Sequence, residues 1–319
     1  MGRYLARRLL VAVPTLVAIS FVVYGILALA PGDPLSQLAL NPNIPLEVQE
    51  RIRHSMGLDE PWHIRYVKWF LALLRGDMGF SYVGFSPVGD LIWQRLPNTL
   101  WVVGLAYIVG AIIGIPIGVL SAAKRYSVFD HTATTFAFIG FSLPTFFTGI
   151  LLILLFSVKL HWLPFIYDTT RQVHDLDSLI FQVKQSIMPI SVLGLADAAI
   201  LARYVRSEML EHLPLDYVRT ARAKGLHERL VILSHVLRNS LIPVVTIMAL
   251  GVPTVFAGAI VTEQIFRVNG IGELLVRSIG DSDIPVVSGI LFIFAALVIV
   301  FNLIADVLYA VLDPRVRYG

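Results

Sequence analysis

The stretch from Ile284 to Ala305 reads IPVVSGILFIFAALVIVFNLIA, 22 residues without a charge. At 1.5 Å per helical residue it covers about 33 Å, enough to cross the roughly 30 Å hydrocarbon core of a bilayer. The rest of the 319-residue chain is built in the same way: 56% of residues are hydrophobic and only 15% are charged. An ordinary soluble domain has about 25% charged residues and needs them to cover its surface. The mean hydropathy of +0.76 points the same way. The composition therefore implies an integral membrane protein, and uncharged stretches of this length imply that helices span the membrane. It excludes a disordered chain and, because there is no cysteine, a disulfide scaffold or a cysteine-ligated zinc or iron–sulfur centre.

Working outward from that stretch, charges fall in clusters separated by long gaps. Leu9–Gly32, Leu96–Ala123, Thr132–Val158 and Asn239–Thr262 are uncharged, and Gln185–Ala202 holds only Asp197. With Ile284–Ala305 this predicts six spans. The first gap follows Arg3, Arg7 and Arg8 and contains Ala28-Leu29-Ala30, as a cleaved signal would. Its apolar run exceeds a signal core, and Pro31 follows the Ala-Leu-Ala directly, so it reads as a retained anchor.

Lys and Arg favour cytoplasmic loops. The N-terminus has three Arg and no acid, and Lys124 and Arg125 outnumber Asp130 after span two. The segment Arg203–Arg238 is net +3, whereas Gly32–Arg95 is net −1, Lys159–Lys184 is neutral and Glu263–Asp283 is net −2. Both termini are therefore expected inside. Residues 1–31 read as an anchor span, 32–97 as an outer loop, 98–313 as a five-span core containing the inner segment 203–238, and 314–319 as a tail.

The outer loop is too long for a plain connection. Trp62, Tyr66, Trp69, Phe70 and Leu73 recur at i, i+4, i+7, i+8 and i+11, which predicts an amphipathic helix over Trp62–Leu74 ending near Gly76. A shorter helix, Pro45–Met56, precedes it. The pair is either a cap on the membrane surface or a lid or dock for an external partner. On the inner side, Asp216 is placed to cap a helix through Leu226, with Gly225 as a break, and Glu228–Val236 leads into span five.

These inner residues carry a resemblance. Asp216-Tyr217-Val218-Arg219-Thr220-Ala221-Arg222-Ala223-Lys224-Gly225-Leu226, followed by His235-Val236-Leu237-Arg238-Asn239-Ser240-Leu241-Ile242-Pro243, resembles the cytoplasmic signature of ABC-importer permeases of the dipeptide/oligopeptide/nickel branch. Pro31-Gly32-Asp33-Pro34, Gly57-Leu58-Asp59, Gly76-Asp77-Met78-Gly79, Gly114-Ile115-Pro116, Gly140-Phe141-Ser142-Leu143-Pro144 and Leu312-Asp313-Pro314-Arg315 extend it along the chain. Against the general signature E-A-A-x-x-x-G, Arg219 and Thr220 replace the first two residues. Further on, only Leu237 matches I-x-L-P, so the role of the acidic position does not transfer to Arg219.

The resemblance implies a type I importer permease in the inner membrane of a bacterium. It would form half of a pore with a second permease, be driven by two ATPase subunits and be fed by an external solute-binding protein. Peptides are the implied cargo, with nickel chelates, glutathione, opines or haem as alternatives, and no nucleic acid takes part. ATP and magnesium would be bound by the ATPase chains. Consistently, no G-x-x-x-x-G-K-[ST] occurs, and none of the five lysines follows a glycine. The residues implied in coupling are Tyr217, Arg219, Thr220, Ala221, Ala223, Gly225 and Leu226. Small Ala221 and Ala223 would let the helix sit deep in a groove. Gly225 suits a left-handed turn or a close backbone approach, and a plain C-cap would use it equally.

Asp197 lies about 9 Å inside the inner end of span four, where an acid is costly unless it faces a wet cavity or a partner. Either it lines the translocation path and meets a cation such as a peptide amino terminus, or it is protonated or paired with the neighbouring permease. Glu263, with Gln264, sits at the outer end of span five, where it meets substrate or snorkels to the interface. Gly110 and Gly114 form a G-x-x-x-G pair, which close helix packing explains. The rival classes are an ion-coupled carrier using Asp197, which would call for inverted repeats, and a membrane enzyme, for which no catalytic constellation is present.

Overall fold

The computed structural model describes residues 2–30, 35, 45–169 and 173–312. Pro31–Pro34 and Asp313–Arg315, which extend the sequence resemblance, and the 314–319 tail lie outside the described residues. Among the described residues the chain is helical without a strand, relieved only by an isolated bridge between Phe80 and Pro87. Five helices are long and apolar enough to cross a membrane, and a bent pair makes a sixth candidate.

By contacts the chain divides into two compact units, Met1–Pro97 with Asn269–Val300, and Asn98–Val268 with Phe301–Gly319. In the first unit, α1 (Gly2–Leu29) is span one, α2 (Leu46–Ser55) follows with Pro45 as its N-cap, and α3 (Trp62–Leu73) lies where the apolar periodicity places it. An aromatic ladder fastens α3 to α1. Phe21 meets Trp62 and Tyr66 at ring distances of 5.5 and 5.2 Å, and Tyr24 meets Tyr66 and Trp69 at 5.6 and 5.5 Å. Gly25 makes room for Trp62, whose ring would lie 3.4 Å from any Cβ there. A second cluster joins Val88 and Ile92 at the start of α4 (Val88–Ala123) to α11 (Ile271–Gly280) and to Val286, Val287 and Ile290 of α12 (Ile284–Leu312). Asp283, buried just ahead of α12, accepts hydrogen bonds from the Ser81 hydroxyl and from the Tyr82 N–H at 3.0 Å. Arg95 closes the unit on Glu273 at 2.6 Å and also donates to Asn269.

The second unit is built around α4 and α7 (Leu176–His212). Gly110, Gly114 and Gly118 lie at i, i+4 and i+8 on α4. A Cβ on them would fall 2.7 Å from Asp197 Cβ, 2.7 Å from the Ala198 carbonyl oxygen and 2.6 Å from the Ala202 carbonyl oxygen. The backbones therefore touch over three turns, an approach only glycine permits. Below this contact Val205, Met209, Val218, Val231, Val236 and Val244 form a fully enclosed core.

Three features depart from the charge-gap expectation. Span four, expected over 18 residues, belongs to α7 with 37 residues, roughly 55 Å long. The uncharged gap marked only the part of a length that fits lipid, and the helix continues past it at both ends, to Leu176 and His212. Span three, expected as one helix over Thr132–Val158, is α5 (Val128–Ser142) and α6 (Thr145–Lys159), bent by 97°. Pro144 forces Leu143 out of the helical region, to φ −81°, ψ 125°. Span five, expected to reach Thr262, ends as α9 (Glu228–Ala257) at Gly258, whose φ of +78° is open to glycine. Thr262 and Glu263 fall on a separate short helix, α10 (Ile260–Phe266).

Candidate functional site

Two places in the second unit concentrate the residues singled out by sequence. The first is α8 (Asp216–Ala223). Its N-cap is Leu215 with no side-chain cap; Asp216 is the first helical residue, exposed to solvent, with its carboxylate 3.6 Å from Arg219. Capping by Asp216 is thus corrected. The carboxylate still sits at the positive end of the helix, where its charge is favourable.

The helix ends as a Schellman motif. Gly225 N–H donates to the Arg222 carbonyl at 2.9 Å, and Leu226 N–H donates to the Ala221 carbonyl at 3.4 Å. Gly225 has φ +76° and nothing within 4 Å of a Cβ position. The left-handed turn that the sequence offered as one reason for this glycine is present. Arg222 pairs with Glu228 at 2.7 Å across that turn. The Glu228 carboxylate beside it raises the Arg222 guanidinium further above its ordinary value.

The residues of this segment divide by face. Val218 and Ala221 are buried in the core with Val231 and Val236, and Tyr217 and Leu226 pack against them. Tyr217 also shares its hydroxyl with His212 Nδ1 at 3.0 Å. Arg219, Thr220, Ala223 and Gly225 are exposed. Ala221 is therefore small to fit its own bundle, while Ala223 keeps the outer face low.

The second place is the middle of α7. Asp197 is partly buried, one position before Ala198, on the face that meets Gly110. It lies close enough to Tyr107 of α4 to interact electrostatically. The Tyr107 hydroxyl in turn donates to the Met248 carbonyl of α9 at 2.5 Å. Three long helices thus converge around one acid. Glu263 is elsewhere: it is fully enclosed and accepts a hydrogen bond from Thr99 Oγ1 at 2.9 Å. It neither snorkels nor meets Asp197.

An ion pair that the sequence reading had counted only as loop charge is central to this unit. Asp130, 1% exposed, accepts from Arg206 Nε at 2.6 Å and Nη2 at 2.8 Å, and from the Tyr126 N–H at 2.8 Å. It ties the start of α5 to α7. Beside it a cavity of about 180 Å³ is lined by Ser121, Thr134, Phe138, Ala199, Arg203 and Arg206. Arg203 stands six residues from Asp197, about 240° around the helix, so cavity and acid occupy different faces. Among the described residues no three His, Asp or Glu side chains are grouped to hold a metal ion.

The comparisons with known proteins cover the whole chain. Residues 114–318 match the profile described as binding-protein-dependent transport system inner membrane component, and residues 1–103 match its N-terminal companion. The chain is 42% identical over 322 residues to the oligopeptide transport system permease protein AppB of Bacillus subtilis, covering all of both chains. It is 37% identical over 338 residues to the dipeptide transport system permease protein DppB of Escherichia coli K12, covering all of this chain and 99% of the other. It is 38% identical over 318 residues to the glutathione transport system permease protein GsiC of Salmonella paratyphi A, covering all of both. Among solved structures, an inward-facing form of the MetNI methionine ABC transporter superposes with a TM-score of 0.54 at 18% identity. The match covers 70% of this chain and 96% of that one. This likeness places the fold with ABC-importer permeases.

Proposed function

The chain belongs to the family of inner membrane components of binding-protein-dependent transport systems, and from that premise we propose that it forms half of a translocation pore for di- and oligopeptides. A second, homologous permease completes the pore, two ATPase subunits bind ATP and magnesium beneath it, and an external binding protein delivers the peptide. Both termini lie on the ATPase side. Full-length identity to oligopeptide and dipeptide permeases supports the peptide cargo, and the glutathione relative keeps that small peptide as the second reading.

The single observation that carries the coupling role is the two-faced character of α8. Val218 and Ala221 root it in the bundle, and Arg219, Thr220, Ala223 and Gly225 are presented outward. A helix held only along one face, with small and positively charged residues on the other, is suited to enter a groove of an ATPase. In the cycle we infer, ATP binding closes the ATPases, α8 passes the movement to α7 through the three-residue link Leu213–Leu215, and the pore opens outward to take up peptide. Hydrolysis returns it inward. Asp197 is the acid on the path that receives the peptide's amino terminus. Glu263, enclosed beside Thr99, meets substrate only in another arrangement of α10.

Mass spectrometry of the complex purified in mild detergent tests this reading. A second permease and one or two P-loop ATPases are expected. A monodisperse chain that moves peptides without ATP would overturn it. For the path, Asp197→Asn should shift preference away from peptides with a free amino terminus; identical uptake of free and N-acetylated peptides by both proteins would remove Asp197 from it.

A further inference from the structure

α3 is apolar on two opposite faces. Trp62, Tyr66, Trp69 and Leu73 pack on α1 or its neighbours. Ile64, Val67, Leu71 and Leu74, at i, i+3, i+7 and i+10, form a second stripe and are 40%, 52%, 51% and 67% exposed. His63 stands at the margin of this stripe. Arg65 and Lys68 occupy the flank between the two faces. There they line a cavity of about 450 Å³ with His54 and Glu60, and Lys68 donates to both Glu60 carboxylate oxygens at 2.5 and 2.6 Å. A helix in water would not keep its charges to one flank and leave four large aliphatic side chains bare.

The depth of α3 against α1 explains the pattern. The apolar part of α1, Leu10–Leu29, has 20 residues and fills about 30 Å of hydrocarbon, so Ser20 stands near the bilayer midplane. The Tyr66 hydroxyl is 3.0 Å from Ser20 Oγ and donates to the Val17 carbonyl at 3.3 Å. Its polar tip is therefore satisfied by α1 about half-way through the membrane. Trp62 lies over Gly25, also within the span. Below Tyr66 an open groove of about 480 Å³ is lined by Val13, Pro14, Val17, Ala18 and Phe21.

We propose that α3 is embedded in the lipid leaflet that holds the loop between spans one and two, with phospholipid acyl chains as the occupant of the Ile64–Leu74 stripe and of the groove beneath Tyr66. Two observations select lipid. α3 packs along the apolar span of α1 as far as Ser20 at its middle, and that span itself leaves Val22, Ile26 and Leu29 54%, 65% and 70% exposed. The cations of α3 are turned toward the protein's own cavity, away from the stripe. The loop is thereby anchored in the membrane through α3. The inference rests on the spanning of α1 and is independent of the cargo.

The chain has no cysteine, so single cysteines report without background. Val67→Cys, Leu71→Cys, Leu74→Cys and Lys68→Cys are each spin-labelled in the full chain, in vesicles of phosphatidylethanolamine and phosphatidylglycerol. The label at 67, 71 and 74 should collide with dissolved oxygen and be shielded from a water-soluble nickel chelate more than about tenfold relative to position 68. If one variant is not recovered, the other two stripe positions decide. Equal access of the chelate to the stripe and to position 68 overturns the proposal. So does shielding that arises only when the partner subunits or the binding protein are added, because the occupant is then protein.

Discussion

The contact between α4 and α7 can be tested by adding one carbon atom. In Gly118→Ala the new Cβ would lie 2.6 Å from the Ala202 carbonyl oxygen and 2.7 Å from Val205 Cβ, whereas ordinary contact begins at 3.4 Å. The helices would have to part by about 0.8 Å, because the opposing atoms belong to a backbone and a Cβ and cannot rotate away. Overpacking of this kind costs about 1–3 kcal/mol, and the better helix propensity of alanine returns up to about 1. A net loss of about 1–2 kcal/mol is expected for Gly118→Ala and likewise for Gly114→Ala, whose Cβ meets the Ala198 carbonyl oxygen at 2.7 Å. Gly140→Ala is the control, since its Cβ would rest 3.7 Å from Ala199 Cβ, and it should be neutral or stabilising. Thermal unfolding of the detergent-solubilised protein, followed by size-exclusion chromatography, reads all three. If Gly114→Ala and Gly118→Ala survive heating as well as Gly140→Ala, then the backbones are not in contact and the reasoning fails.

Gly225→Val should impose about 1–2 kcal/mol of left-handed strain on the α8 turn and abolish ATP-driven uptake while membrane insertion persists, whereas Gly225→Asn, tolerated in that conformation, should keep most uptake; equal uptake by both variants would detach the turn from coupling. Asp130→Asn should destabilise the protein by about 3 kcal/mol, the lower bound for breaking a buried pair, since Arg206 reaches solvent with 27% of its side chain. In the Arg206→Met background the same change should cost clearly less, which a double-mutant cycle of unfolding would show. In the outer loop, donation to the Asp59 carboxylate raises the His54 imidazole above its ordinary value, and the same bond lowers the Asp59 carboxyl. The His54 contribution to order at the end of α2 is full below the ordinary histidine value and lost as pH rises through the raised one. The Asp59 contribution is lost as pH falls through its lowered value. An NMR titration should find the imidazole shifted back down in Asp59→Asn, and an unchanged titration would refute the pair.

How much of this was legible in the sequence depends on the range of the interaction concerned. Charge gaps fell on the five long apolar helices and on the bent pair because exclusion of charge from lipid is local to each segment. They could not give the length of α7, since a helix persists past Lys184 and Arg203 wherever its own hydrogen bonds continue. Pro144 ends α5 through its effect on Leu143, but the 97° angle depends on where α5 and α6 each pack on α7, which no local signal contains. Gly225 was readable because a turn needs only its own dihedrals. The pairs Asp130–Arg206 and Arg95–Glu273 join residues 76 and 178 positions apart and leave no trace in any window of sequence. The division of α8 into a rooted and a presented face was half visible, as Val218 and Ala221 repeat at helical spacing. The inward turn of Ala221 emerged only once Val231 and Val236 were seen behind it.

The glycine contact also acts as a notched track. Ala106, Gly110, Gly114, Gly118 and Ala122 recur every fourth residue along α4, and all five are buried. A displacement of one notch, about 6 Å along the axis, would bring a glycine to two of the three seats on α7 and an alanine methyl to the third. A displacement of half a notch would drive bulky side chains into backbone. Sliding between these two helices is therefore quantised. Within one notch they move together as a single plank, so any change of shape in this unit falls outside that contact, as at Gly258, where the chain turns between α9 and α10.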